Sequence, residues 1–579
     1  MKKTYKNIRF YRTIGMVVFL NLVACNDDFL EKPESNDVTI DEIFSTRINA
    51  ESFLWESYRT CMPVGFPYDW GRHNGLYASM LMAACDEGDV YDSWPSSNNH
   101  NTGNVSTTYT GEDNYDWHYK GIRNATIFMD NIDRVSEIPE DEKSRMKAEV
   151  KILRALPYHE LIKRYGAVPL ITSVLSTEDD ILLPRNTYEE CIDFIVQSCD
   201  EAAAILPDSY PASQTGRITK GVALALKARV LLYAASPLHN TNTPYMGEGR
   251  EYTGYPSYDE SRWQLAADAS QALLNWAAGA GIQLVTESPD PQENYRNAIE
   301  LTHNPEIILS SQSEGWWNSD WPMFQQFAMP RGIYGGWYGH GVTLEHAQKY
   351  YTQSGGDQIW PDSGPGSEYL SKMQEMEPRF QYSVLYSGGV WNDEIGVVNF
   401  FRTNGGTWSS NAPVNGVGFM RKFLVKGNWG GGQYNWIVFR LAEFYLNYAE
   451  SLNEVSPLDP RAFNAINTIR DRAGIPQLSS ADPRYDTQEE FREAIRRERA
   501  VELAFEEHRF FDVRRWVIAG QEGVMQGEMH GLNLYEQADG SFLYQKEPFE
   551  TRVWNDRLYL YPIPQGEIDK GYLKQNPGW

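Results

Sequence analysis

The chain has 579 residues, with 52 Lys and Arg against 78 Asp and Glu, for a formal net charge of −26. That length allows one large domain or several ordinary ones. The charge, with no basic tract anywhere, opposes nucleic acid and other polyanions at long range and leans toward neutral or cationic ligands, because a sulfated or uronate-rich glycan would need a local basic pocket.

The first 24 residues read as an export signal. Lys2, Lys3, Lys6, Arg9 and Arg12 make a basic start, and residues 14–24 form an apolar stretch broken only by Gly15 and Asn21. A stretch of that length is too short for a stable bilayer span, which needs ~20 residues. It ends Leu22-Val23-Ala24-Cys25, the form of a bacterial lipobox. The small residue before the cysteine suits a peptidase, and the thiol can carry lipid. The mature protein is expected to begin at an acylated Cys25 and to sit on a membrane without crossing it. The alternative is an ordinary signal peptide with a chance cysteine. Removing the five cations before Cys25 from −26 leaves about −31. An acidic, extended tether follows over residues 25–40.

A single domain is expected from residue 41 onward, with helices over about 41–60, 117–278 and 436–516. In 117–135, Ile122, Ala125, Phe128, Met129 and Ile132 share one stripe. Residues 141–165 repeat the pattern through Val150, Leu153, Leu161 and Tyr165. Asn186-Thr187 opens a helix stopped by Pro207, and further helices are predicted over 219–235, 258–278, 438–453, 460–473 and 487–516. Several are short and Ala-rich with a large residue every turn or two, as in tetratricopeptide-like (TPR-like) arrays. No clean 34-residue consensus is visible.

Cys61, Cys85, Cys191 and Cys199 are the remaining cysteines. Cys191 and Cys199 lie roughly 12 Å apart along a helix axis, beyond disulfide reach. A Cys61–Cys85 bridge has no other support, and no CxxC occurs, so all four read as small core residues.

Two long interruptions, 62–116 and 287–435, break the helical pattern. The first carries Pro67-Tyr68-Asp69-Trp70-Gly71 and Tyr91-Asp92-Ser93-Trp94-Pro95; the second carries Trp316-Trp317-Asn318-Ser319-Asp320-Trp321, Gly335-Gly336-Trp337-Tyr338-Gly339-His340 and Trp408. Loops this long inside a compact chain are usually functional. Aromatics make up 13% of the chain, with 18 Trp and 35 Tyr, and many fall in these Gly/Pro/Asn-rich stretches, which cannot be core helices.

Signals for catalysis are weak. There is no HExxH, G-x-S-x-G or P-loop. With 78 acids, carboxylate pairs carry no information. His340 and His346 have an unconvincing spacing for a metal. Asp539-Gly540 reads as a hairpin turn, since the flanking Asp ladder of a calcium loop is missing. No catalytic residue, metal or cofactor is implied, and a structural calcium has no support.

The C-terminal half carries a series of ordered motifs: Leu441-Ala442-Glu443 through Ala449-Glu450, Ala465-Ile466-Asn467 through Ala473-Gly474, Ile495-Arg496-Arg497-Glu498-Arg499 through Glu506, Arg509-Phe510-Phe511-Asp512, Leu560-Tyr561-Pro562-Ile563-Pro564-Gln565 and Gln575-Asn576-Pro577-Gly578-Trp579. The N-terminal half adds Arg154-Ala155, Tyr158, Arg164-Tyr165-Gly166-Ala167-Val168-Pro169-Leu170 and the helix over 217–233. This series resembles the SusD/RagB family of Bacteroidetes outer-membrane lipoproteins across essentially the whole mature chain. Pro157 departs from it, falling inside a family helix that it should kink.

The resemblance implies a mainly α fold: a right-handed TPR-like superhelix of four helix pairs, with a large irregular loop-rich region that carries the ligand site and a few short β-hairpins. It implies a lid on a SusC-like TonB-dependent transporter, capturing glycan pieces at the cell surface and passing them inward; in the RagB branch the cargo is peptide. Asp27 and Asp28 match the acidic residues that accompany surface export in this family. Arg497, Glu498, Arg499 and Glu502, three or four apart, are expected to form ion pairs along one helix face as scaffold. The C-terminal tail is expected to bury Trp579.

Sugar recognition needs aromatic faces for the C–H side of a pyranose and Asn, Asp, Arg or Gln for its hydroxyls. Burying roughly 60 Å² of sugar face contributes about 1.5 kcal/mol. Two or three such platforms, less ordering costs, suggest affinities on the order of micromolar to millimolar, which suits release of cargo. In the family the platforms come from the two loop regions. Trp94, Trp316, Trp317, Trp337 and Tyr338 are the platform candidates, with Asn98, Asp320 and Arg402 as polar partners. Adjacent side chains diverge, so one ring of Trp316-Trp317 should point inward. For each Trp, packing the loop onto the scaffold is the competing role. Three readings stay open: a glycan-binding lipoprotein, favoured because flat indole faces suit pyranose rings; the same architecture binding peptide; and a surface enzyme of glycan breakdown.

Overall fold

The computed structural model describes residues 39–63, 76, 78–112, 115–175, 182–313, 323–337, 339–409, 413–424 and 434–579. Cys25, the signal and the tether lie outside these residues.

Eight helices stack as four consecutive pairs: α1 (Arg47–Cys61) with α2 (Tyr115–Asn131), α3 (Glu140–Tyr165) with α4 (Tyr188–Ala203), α5 (Lys220–Ala235) with α6 (Ser261–Ala280), and, beyond α7 (Pro291–Glu300), α8 (Leu441–Val455) with α9 (Pro460–Ala473). Each pair also packs on the next, α2 on α3, α4 on α5 and α6 on α8, so one solenoid runs through both halves of the chain. The helix ends follow from local chemistry. Thr187 and Glu190 form a capping box at α4. Asp459 caps α9, Pro460 takes its first position, and Gly474 closes it with φ +70°. In α5, Ala223, Ala225, Ala228, Ala234 and Ala235 are buried and let neighbouring helices approach closely. The α3 helix passes through Pro157 as a continuous 26-residue element. Cys61, Cys85, Cys191 and Cys199 are buried and unbridged.

Two helix boundaries differ from the periodicity. The stretch predicted as helix from 438 starts as the strand β7 (Tyr434–Arg440), paired antiparallel with β2 (Ile307–Ser313), and α8 begins only at Leu441. Ile437, Val438 and Phe439 suit a pleated surface, and Arg440 is anchored by Glu306, Glu502 and Glu506. The segment 487–516, predicted as one helix, is broken into α10 (Gln488–Glu502) and α11 (His508–Arg515). Phe505 and Glu507 both adopt φ +66°, and the Phe505 N–H donates to Glu87 Oε1 at 2.9 Å. Tertiary partners outweigh helical propensity there.

The motif charges of α10 pair across elements rather than along its face. Glu498 takes Arg379 and Arg470 at 2.6 and 2.8 Å. Arg499 donates to Asp512 at 2.7 Å, and Arg497 reaches Asp357 at 2.6 Å. Glu502 accepts from Arg379 at 3.1 Å and Arg440 at 2.7 Å, and pairs with Arg472. Glu498 and Glu502, four apart on that face, carry the same sign and cannot pair with each other, and Arg379 from outside the helix bridges both. Trp579 is half-buried, its indole N–H donating to the Arg557 and Leu560 carbonyls at 3.1 Å.

The loop-rich region is organised by short strands. A four-stranded antiparallel sheet has the order β1 (Gly88–Asp89), β3 (Gly341–Val342), β6 (Gly418–Met420) and β5 (Val384–Tyr386). It draws both long interruptions into one layer. A second sheet joins β4 (Ser363–Pro365) to the hairpin of β8 (Gly527–Glu536) and β9 (Phe542–Arg552). At the turn of that hairpin Asp539 accepts from the Ser541 N–H and Gly540 has φ +79°.

Candidate functional site

Pairing of β1 with β3 sets the site. Asp89 faces Gly341 in an antiparallel register, so the chain leaving β1 and the chain entering β3 lie at the same edge of the sheet. Trp94 follows Asp89 by five residues, and Trp337 precedes Gly341 by four. Residues more than 240 apart in sequence therefore meet.

Phe327 is the shared support. It is buried with Ala78, Ala83 and Val90 in a small apolar cluster. Its ring lies 6.4 Å from that of Trp94 at 67° and 5.2 Å from that of Trp337 at 74°, both edge-type contacts. The two indoles nonetheless stay 47% and 38% exposed. They are held rings with open surface, unlike indoles packed into the core such as Trp391.

A polar clasp fixes the two loops to each other. Arg331 Nη2 donates to Asp92 Oδ2 at 2.8 Å, and its Nε donates to the Trp337 carbonyl. The loop bearing Trp337 also needs its glycines: a Cβ on Gly336 would come 2.2 Å from the Met329 carbonyl oxygen, and one on Gly339 would come 2.6 Å from the Phe419 ring. Tyr334, with φ 44°, donates from its hydroxyl to Glu394 at 2.6 Å and accepts from Asn392 at 2.8 Å. Tyr91, 43% exposed, stands on the Trp94 loop next to Asp92.

The predicted residues divide as follows. Trp94 and Trp337 come together on Phe327. Asn98 belongs to the same loop, where its amide donates to the Asp92 and Pro95 carbonyls at 3.1 and 3.4 Å and so folds the turn that presents Trp94. Arg402 makes its contacts elsewhere: its guanidinium lies 4.3 Å from the Trp408 ring centre, and its backbone bonds to Leu534 and Glu536 of β8. Trp316, Trp317, Asp320 and Tyr338 lie outside the described residues. Phe327 and Arg331 are not marked in the sequence, and Tyr91 and Asp92 stand there only as neighbours of Trp94 in the Tyr91-Asp92-Ser93-Trp94-Pro95 stretch, not as site candidates. A buried Phe beside a loop looks like any core residue, and the Arg331–Asp92 partnership spans 239 positions.

Beneath the sheet the electrostatics are strongly coupled to burial. The Asp89 carboxyl is pushed up to about 7 by burial and then by Glu550, while Asn415 and Asn101 donate to it at 2.7 and 3.2 Å. Burial also raises Glu87 to about 8. For Asp86 burial acts in the same sense, yet Arg509 and Lys349 hold its carboxyl well below the usual range. These groups tie β1 to the rest of the chain through Arg509, the Phe505 N–H and Asn101. Among the described residues no group of three or more His, Cys, Asp or Glu is placed to hold a metal ion, and no helix is long and apolar enough to cross a membrane.

Two family models match the chain: the SusD family over residues 305–579, and "Starch-binding associating with outer membrane" over residues 28–232. The chain belongs to the SusD/RagB family. A SusD-like protein of Formosa agariphila is 24% identical over 98% of this chain and 99% of its own length. A crystal structure of a SusD-like protein from Bacteroides fragilis superposes with TM-score 0.76 at 27% identity, covering 95% of this chain and all of that one. A second B. fragilis structure, a SusD-like carbohydrate binding protein, shares the fold with TM-score 0.69 at 21% identity over 92% of this chain and 99% of its own. The mainly α, TPR-like architecture is thus the family's.

Proposed function

We propose that this SusD/RagB member is a glycan-binding lipoprotein, anchored to the outer membrane through Cys25, that captures oligosaccharides and delivers them to a SusC-like TonB-dependent transporter. The observation that carries the reading is the pair of half-exposed indoles, Trp94 and Trp337, held on one buried phenyl ring. Such a surface covers the C–H faces of adjacent sugar units without first having to order its own rings. Carbohydrate binding in the name of a structural neighbour and outer-membrane association in the name of a matching family model support the same reading.

The ligand is neutral on this account. The cation at the platform, Arg331, is already paired with Asp92, and the chain carries a net charge of −26. The protein binds rather than cleaves. Among the described residues, Asp92 on the Trp94 loop is engaged by Arg331 rather than standing as one of two free carboxyls across a bond.

Calorimetry of the protein from Asn26 onward, against neutral and acidic polysaccharides and a peptide digest, tests the reading. Heat from a neutral glycan with no product formed is the expected outcome. Heat from peptides alone moves the protein to the peptide-binding branch, and release of shorter sugars by purified protein makes it an enzyme. Mild detergent extraction of the lipidated form should co-purify a large β-barrel protein; recovery of the lipoprotein alone across gentle detergents argues against the transporter partnership.

A further inference from the structure

A groove of about 490 Å³ lies away from the indole pair and shares no residue with it. It runs between the segment before α5, the C-terminal end of α6 and the strand β2. Its size falls in the range that takes a small ligand, roughly 300–1,000 Å³.

One wall is Trp276 of α6, half-buried and fixed in two independent ways. Its indole N–H donates to Asp208 at 2.8 Å. Its six-membered ring lies against Gly221 of α5 so closely that a Cβ there would come 2.0 Å from Cη2. Glycine at this helical position costs roughly 1 kcal/mol relative to alanine, and the room it leaves is filled by this ring. Tyr210 lines the same groove and is tied down by its hydroxyl, which donates to Glu149 Oε1 at 3.1 Å.

The rest of the lining mixes apolar side chains, Ile282, Pro305, Ile307 and Leu309 among them, with polar ones, and it is almost uncharged. Ser209, Gln214, Thr219, His303 and Ser310 line the groove, and none of their side chains has a hydrogen-bond partner among the described residues. Both strongly charged groups are engaged: Asp208 by the indole, Arg217 by Glu149 at 2.9 Å. An immobilised indole with its own N–H already satisfied offers a face, and the unpartnered hydroxyls, amide and imidazole offer donors and acceptors. That is the chemistry of a neutral polyhydroxylated ligand.

We infer that this groove is a second carbohydrate-binding site, taking a short run of a neutral oligosaccharide on Trp276. The inference rests on the glycan-binding reading but uses different residues. Two separated sites on one chain would let a long glycan engage twice, raising avidity without tightening either site.

The test is calorimetry with neutral hexasaccharides of glucose, mannose, galactose and xylose. Four proteins are compared: the wild type, Trp94→Ala/Trp337→Ala, and that pair combined with either Ser209→Arg or Trp276→Phe. Ser209 is exposed, so arginine there blocks the groove without entering the core, and phenylalanine keeps most of the packing at 276. Thermal melting confirms that each variant is folded. The expected result is that the double variant keeps binding a hexasaccharide and that either added change weakens this residual binding about tenfold or more. Loss of all sugar binding in the double variant overturns the second site and leaves the indole pair standing. Residual binding untouched by Ser209→Arg also overturns it, as does displacement of the residual sugar by peptide. Binding that ignores the loss of Trp94 and Trp337 but vanishes with Ser209→Arg keeps the groove and overturns the indole pair.

Discussion

At the residue scale the site stands on buried charge. Glu87 is fully buried next to β1 and accepts from the Phe505 N–H. Burial pushes its carboxyl from the ordinary glutamate range up to about 8. Between those values the folded chain holds a proton that the unfolded chain has released, so stability from this group is complete at low pH and is lost as pH rises toward about 8. Glu87→Gln keeps the shape and removes the titration. Denaturant unfolding at about pH 5 and about pH 8 should show the variant losing less stability than the wild type, by an amount on the order of a few kcal/mol. Equal losses would contradict the assignment. Glu502 has the opposite sign: burial opposes its charge, but Arg472, Arg440 and Arg379 hold its carboxyl well below the usual range. Glu502→Ala would remove a carboxylate shared by three buried guanidinium groups, leaving them to their other acidic partners, Glu498, Glu306 and Glu506 among them, and should cost about 3–5 kcal/mol. A melting temperature within a degree or two of wild type would show that the network reorganises around the loss.

At the element scale the decisive feature is the β1–β3 register, which brings the Trp94 and Trp337 loops together. Gly336 holds the Trp337 loop close to its neighbour, because a Cβ there would come 2.2 Å from the Met329 carbonyl oxygen. Gly336→Ala should displace the Trp337 loop and weaken glycan binding by about tenfold or more, with little change in melting temperature because the loop is at the surface. Unchanged affinity would mean that Trp337 does not depend on this close approach. Much of the element plan was readable from sequence. Helical periodicity located the solenoid helices, and the Asp459-Pro460 and Gly474 signals bounded α9. Periodicity failed where long-range partners set the backbone: at Arg440, held by three glutamates, and at Phe505 and Glu507, where the chain turns to reach Glu87. The same limit governed the site. Trp94 and Trp337 stood out as aromatics in Gly- and Pro-rich loops. Their support, Phe327, and their clasp, Arg331 with Asp92, are defined only by contacts between distant segments, and Asn98 is legible as polar but not as the residue that folds the Trp94 turn.

At the scale of the whole molecule, a rigid helical solenoid carries a loop layer with locked aromatic surface, and the site is a product of the layer rather than of the motifs that mark the family. Those motifs, in α8 to α11, supply the buried ion pairs of the scaffold. Variation in the loops can therefore change the ligand without touching the fold. The most direct test of this account is the affinity of the wild type and of Trp94→Ala/Trp337→Ala for whichever neutral glycan binds best, measured by calorimetry at matched salt. The account predicts a loss of about tenfold or more in the double variant, with melting temperature nearly unchanged because both rings are half-exposed. Equal affinity in the two folded proteins would contradict it and return both tryptophans to a packing role.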